Sequence, residues 1–298
     1  MPGVLYQPIG RRAFLKLSSK AVAAFAISRT IALAGDETGP SVRLELLSDL
    51  HLAADPKNEF RKFLPAESLK TVLPQVIATS PAGIVINGDL ARLTGEVADY
   101  EALKLALAEL AAKAPIYLSL GNHDHRDNFY KTFDRTAGER QKLQDKHVLV
   151  VDYATVRFII LDSLFSVSKT GGLLGKAQRD WLASYLKISE DKPVVIFVHH
   201  TLGDGDNELL DVEHLFEITL PCRRVKAIFY GHSHAYGFTK REDLHLINIP
   251  AVGYNFGDSE PVGWVNALFG AKGVELTLNS FGGNQKENGK TTSLLWRA

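Results

Sequence analysis

The sequence predicts an α/β fold with mixed β-sheets in one domain, and three observations carry that prediction. Short apolar runs rich in β-branched residues alternate with longer stretches of helical period; the last two such runs follow each other with no helix between them; and polar clusters stand directly after one apolar run after another. Buried strands covered by helices produce the first pattern. Antiparallel pairing accounts for the second. With 298 residues, 45% of them hydrophobic, the chain has the material for a sizeable core.

The elements follow in order. Residues 1–34 hold Arg11 and Arg12 ahead of an alanine-rich apolar stretch ending in Ala32, Leu33 and Ala34, which reads as a twin-arginine export signal with a small-residue cleavage site. Arg29 interrupts the apolar run and departs from the ideal. A periplasmic or otherwise exported location is the expectation. A short linker, 35–41, leads to a domain at 42–280. Strands are predicted at 42–48, 82–88, 115–120, 156–162, 193–198, 225–230 and 244–250, helices at 68–79, 96–113 and 176–187, and late strands in GWVNALFG and GVELTLN. The middle helix, rich in alanine and leucine, has the strongest propensity. In the third, Trp181 and Leu182 are expected to pack on the sheet. The polar, glycine-rich segment 281–298 is expected to be a C-terminal tail.

Lysine plus arginine and aspartate plus glutamate each total 34, so no global charge recruits nucleic acid or an anionic membrane, and no nucleic-acid partner is expected. Beyond the leader no stretch reaches the ~20 apolar residues of a membrane helix, so no stable membrane anchor is expected after signal cleavage. The lone Cys222 rules out an internal disulfide and, far from the cleavage site, offers no point of lipid attachment. The oligomeric state leaves no mark on the sequence.

Five polar clusters follow predicted strands: SDLH, NGD, GNHD, the HH after VVIFV, and the GHSH after AIFY. In open α/β sheets ligands bind beyond the carboxyl ends of the strands, so these clusters converge on one edge. They contribute Asp49, His51, Asp89, Asn122, His123, His199, His232 and His234. Asp49 with His51, and His232 with His234, sit two residues apart, a spacing that points both side chains the same way on an extended segment. Imidazole nitrogen mixed with carboxylate oxygen suits zinc, manganese or iron rather than calcium. The number of ligands exceeds one tetrahedral ion and matches two divalent metal ions sharing a carboxylate. Such a pair, ~3.5–4 Å apart, clamps the oxygens of a phosphoryl centre and generates hydroxide near neutral pH.

In this order the motifs DLH, GD, GNHD, HH and GHSH resemble those of the calcineurin-like metallophosphoesterase superfamily, over roughly residues 42–270. The segments GNHDHR and GGLLGKAQRDWL look like bacterial class III cyclic-nucleotide phosphodiesterases. The resemblance implies a four-layer αββα sandwich, with one ion held by Asp49, His51, Asp89 and His234 and the other by Asp89, Asn122, His199 and His232. His123 would face the phosphate, stabilising developing charge or protonating the leaving oxygen, and Asp124 would brace its loop. Arg126 falls at the family's arginine position and either meets phosphate with its fork or pairs with Asp127. His200 either stands behind the ligands or faces the substrate. The implied function is that of an exported dinuclear enzyme hydrolysing phosphodiesters or small phosphomonoesters by in-line attack of hydroxide generated at the metals.

Departures narrow this reading. Arg92 stands three residues past Asp89, where protein phosphatases of the superfamily have Asp and purple acid phosphatases have Tyr, so an iron(III)-tyrosinate centre is not expected. The loop TLGDGDNELLD replaces prolines common after the HH pair, which leaves the substrate open; its DGDNE lacks the spacing of a calcium loop. His125 stays outside the catalytic set, and His147, His214 and His245 fit no motif. Taken singly, Asp49, Asp89 and Asn122 are ordinary turn or cap residues, and only their ordered recurrence with histidines favours ligation. Two rivals remain: a nucleotidase-type phosphomonoesterase, told apart by its ratio of mono- to diester turnover, and a non-catalytic exported protein that binds metal or phosphate.

Overall fold

β1 (Val42–Leu47) turns Leu44 and Leu46 to one side and Glu45 and Leu47 to the other, and every one of these is buried. A strand buried on both faces needs cover on both faces. The computed structural model describes residues 40–298, and the predicted export segment and most of the linker lie outside the described residues. β1 pairs in parallel with β2 (Gly83–Asn87), which pairs in parallel with β3 (Ile116–Ser119). On its other edge it meets antiparallel β11 (Pro261–Phe269), then β12 (Gly273–Gly283) and β13 (Thr291–Leu295).

The second sheet has seven strands, in the order β4 (Glu139–Arg140), β5 (Leu149–Asp152), β6 (Arg157–Ile160), β7 (Val194–Phe197), β8 (Val225–Tyr230), β10 (Leu244–Asn248) and β9 (Gly237–Arg241). β6, β7, β8 and β10 form its parallel centre. Both sheets are therefore mixed.

The sheets pack face to face through Leu44, Leu46 and Val85 of the first and Phe158, Phe197 and Phe229 of the second, with the ring of Phe269 4.8 Å from that of Phe158. Each fully buried aromatic contributes roughly 1.5–3 kcal/mol. The outer face of the first sheet is covered by α1 (Pro65–Ala78), α2 (Val97–Ala106), α3 (Ala108–Ala111) and α4 (Arg126–Thr132), whose Leu69, Val72, Tyr100, Leu110 and Phe129 meet Ile84 and Ile86. α5 (Lys176–Ile188) and α6 (Val212–Thr219) cover the second sheet with Leu182, Leu186, Leu215 and Phe216. Four layers, αββα, result.

Two expectations change. The predicted helix at 96–113 is two helices, parted at Leu107. The predicted tail at 281–298 is part of the fold: its polar run makes the turn between β12 and β13, and Arg297 beyond it is buried. Alternating exposure along β13, an edge strand, hid it among polar residues.

Candidate metal centre

The loops leaving the carboxyl ends of β1, β2, β3, β7 and β8 all open on one edge, and the polar clusters sit on them. The amides of Asp49 and His51 donate to the carbonyls of Gly88 and Asp89, at 3.1 and 2.9 Å, stitching the first loop to the second. The backbone here differs from the extended segments expected. Asp49, His51, Asp89, His232 and His234 all have positive φ, between 47° and 69°. Asp and His tolerate this left-handed region better than most side chains. Sharp turns, rather than extended strands, bring each pair of side chains inward.

Gly121 permits the closeness. A Cβ there would land on the Asp89 carboxylate and on Nε2 of His199.

Main-chain carbonyls fix the tautomers. Nδ1 of His199 meets the carbonyl of Asn87 at 2.8 Å, Nδ1 of His234 that of Tyr254 at 2.6 Å, Nδ1 of His123 that of Leu93 at 2.8 Å, and Nε2 of His232 that of Asn207 at 2.9 Å. A carbonyl only accepts, so each of these nitrogens carries a proton and the other nitrogen of each ring is the one that can face a metal. The candidate ligand atoms converge. Asp49, His51 and His234 offer ligand atoms within 4.8 Å of one another, and so do Asp89, His199 and His232. Oδ2 of Asp89 lies 3.6 Å from Nε2 of His51 and 3.4 Å from Nε2 of His199, between the two groups. Its other oxygen accepts the amide of His123 at 2.9 Å.

The residues fit a metal. Oδ1 of Asp49, Oδ1 of Asn122 and Nε2 of His199 are buried with no hydrogen-bond partner, and an orphaned buried polar atom costs about 1–3 kcal/mol. Divalent cations would answer them, and oxygen with imidazole nitrogen is a donor set for zinc, manganese or iron. The electrostatics agree. Burial, the largest single influence, opposes ionisation of Asp49 and Asp89, yet the surrounding histidines together outweigh it, His199 with His234 at Asp49 and His199 with His51 and His123 at Asp89, and both stay well below the usual carboxylate range. Burial likewise pushes His199 down, but Asp89 and Asp49 win and hold it up to about 10. His51, dominated by burial, falls to about 3.

Asp124 sits behind the loop. Its fully buried carboxylate accepts the amides of Gly121, Leu90 and Ala91 at 2.8, 3.1 and 3.1 Å and the hydroxyl of Tyr100 at 3.0 Å. Burial is the main reason its pKa rises to about 6. It does not line the metal pocket, and it ties the turn at Gly121 to the loop after β2.

Arg126 takes neither of its two expected places, and His200 takes the first of its two, behind the candidate ligands. Arg126 does not reach into the pocket: its fork closes on Asp162 at 2.7 and 2.8 Å and on the carbonyl of Leu164, because the buried Asp162 carboxylate needs a partner more than solvent does. His200 faces no substrate. It is fully buried, bonded through Nδ1 to the Ser163 hydroxyl at 2.7 Å, with its ring 4.8 Å from that of His232.

The centre floors a pocket of about 300 Å³ walled by His123, Thr170, Asn207, Glu208, Tyr254 and Phe256. Of these the sequence pointed only to His123. Tyr254 lays its ring 4.7 Å from that of His51 and 4.6 Å from that of His234.

The profile of the calcineurin-like phosphoesterase family matches residues 43–236. The 3',5'-cyclic adenosine monophosphate phosphodiesterase of Pseudomonas aeruginosa is 27% identical over 227 residues, covering 74% of this chain and 79% of its own. The glycerophosphodiester phosphodiesterase of Enterobacter lignolyticus is 26% identical over 192 residues, covering 61% and 67%. A dimetal phosphatase from Danio rerio superposes with a TM-score of 0.66 at 17% identity, over 86% of this chain and 99% of that one.

Proposed function

The chain belongs to the calcineurin-like phosphoesterase family and is a metal-dependent phosphoric ester hydrolase, and from that premise we propose an exported enzyme with two divalent ions that cleaves phosphodiesters or small phosphomonoesters by in-line attack. The observation that carries the two-ion reading is Asp89, whose Oδ2 stands between the two groups of ligands. Diester cleavage draws support from the two relatives, each named a phosphodiesterase but for a different ester. Export rests on the paired arginines and small-residue exit of the leader.

When bound, the ions supply Lewis acidity toward the phosphoryl oxygens and a hydroxide nucleophile near neutral pH. The rest falls to the protein. The Leu93 carbonyl turns Nε2 of His123 toward the pocket. Once protonated there, the ring donates to the leaving alcohol's oxygen as negative charge develops, while the Leu93 carbonyl steadies the imidazolium. The amide of His123 on Asp89 ties this acid to the ligand set, so it keeps its distance from the reacting phosphorus.

Asp89→Asn and His123→Ala separate the roles. Elemental analysis and bis-p-nitrophenyl phosphate hydrolysis are expected to show Asp89→Asn losing both metal and activity, and His123→Ala keeping its metal while kcat falls about 10²–10⁴-fold. Full activity with full metal in both variants defeats the proposal.

A further inference from the structure

Among the described residues seven large hydrophobic side chains are exposed, and four of them, Leu93, Phe165, Leu210 and Phe256, ride on the loops around the metal pocket. The other three, Leu105, Ile188 and Leu295, are scattered over α2, the end of α5 and β13. Scattered apolar residues need no explanation, whereas a cluster at a site does.

Hydrogen bonds join the first three loops into a rim. The Leu93 carbonyl accepts both His123 Nδ1 and the Ser168 hydroxyl, at 2.8 and 2.9 Å, which ties Leu93 to the loop bearing Phe165. Thr170 of that loop bonds Asn207 at 2.6 Å, and the Leu210 amide meets the Gly172 carbonyl at 2.9 Å. Phe256 closes the far side, its ring 4.3 Å from that of His234.

The pocket itself holds no Lys or Arg. Arg92 lies over Phe60 at 4.5 Å and bonds Asn58, and Arg61 bonds the carbonyls of Asn255 and Phe256. Neither lines the pocket. The charged side chain that the wall does add is the carboxylate of Glu208, which repels a second anionic group. Positive charge for one phosphate comes with the ions, and the basic side chains of the rim, Lys169 and Arg61 with its guanidinium 5.4 Å from the Phe256 ring, stand outside the pocket wall.

We infer that the rim of Leu93, Phe165, Leu210 and Phe256 receives the alkyl or aryl arm of a phosphodiester monoanion, so that the substrate is amphiphilic: one phosphate, and an apolar group beyond it. This rests on the phosphoesterase reading of the same site and adds the class of alcohol.

The test uses methyl, butyl and octyl p-nitrophenyl phosphates below their critical micelle concentrations, with the Mn²⁺-loaded protein. All are monoanions with one leaving group; hydroxide adds to phosphorus as the bond to nitrophenolate breaks, releasing the alkyl phosphate. kcat/KM is expected to rise at least about tenfold from methyl to octyl, a fraction of what seven buried methylenes can supply. In Phe165→Ser and Leu210→Ser the octyl-to-methyl ratio is expected to fall by more than half, while in Leu105→Ser, on a remote helix, it does not change. A flat series, a ratio that survives the rim variants, or 3',5'-cyclic AMP exceeding the octyl ester in kcat/KM overturns the inference. Calorimetry with methyl- and octylphosphonate separates it from the parent reading: tighter octyl binding without hydrolysis of any ester defeats the enzyme and keeps the rim, whereas hydrolysis with equal binding does the reverse.

Discussion

Glu45 is buried in β1, where Thr79 and Asn266 each donate to Oε1 at 2.6 Å and Oε2 has no partner. Burial pushes its pKa from 4.5 to about 7. The folded state thus holds a proton that the unfolded chain releases near 4.5, and the stability this gives is full below pH 4.5 and lost as pH rises through 7. Glu45→Gln keeps the acceptor and removes the titration. In urea unfolding the variant is expected to match the wild type at pH 4.5 or below and to gain up to about 3 kcal/mol on it at pH 8; an equal difference at both pH values refutes this. At this scale the seven candidate ligands were legible because side chains of metal-binding chemistry recurred at strand ends. The carbonyls of Asn87, Asn207 and Tyr254 that orient three of their histidines were not, since every residue has a carbonyl and only the fold says where it points. Arg126 misled for a related reason: its partner Asp162 is 36 residues away and met only through the second sheet.

At the scale of elements, the C-terminal strand was the main surprise. β13 extends the first sheet, and Arg297 just past it donates to the carbonyls of Val225, Thr219 and Cys222 at 2.8 Å each, all beside β8 of the second sheet. Asp243 completes its shell at 3.1 Å. At Arg297 the chain clasps both sheets. Arg297→Ala leaves these carbonyls short of donors and is expected to lower stability by roughly 2–4 kcal/mol, read from the urea midpoint, with catalysis per folded molecule unchanged. The strands of the parallel centres were read correctly because burial on both faces yields unbroken apolar runs. β4, β5, β9 and β13 were not: β4, β9 and β13 are edge strands that face solvent and read as loops, and β5, though its first three residues are buried, is only four residues long.

Across the whole molecule, two sheets of different strand order aim their carboxyl ends at one edge, so ligands from residue 49 to residue 234 meet. The αββα class followed from motif resemblance rather than from counting strands, since alternation alone does not tell one sheet from two. The left-handed backbone at Asp49, His51, Asp89, His232 and His234 has a consequence on this scale. Non-glycine residues there carry strain of order 1–3 kcal/mol each, which persists only where the surroundings over-determine it. Here the loops are held by main-chain bonds such as Asp49 to Gly88 and His51 to Asp89, none of which involves an ion. These bonds need no ion to form, so the socket is expected to persist when the ions are removed. Chelation is expected to leave hydrogen exchange at the amides of residues 49, 51 and 52 nearly as slow as in the metal-loaded protein, while activity vanishes; rapid exchange there after chelation contradicts this. A socket that persists without its ions discriminates among them by shape, and an ion that leaves finds the same site open to it on return.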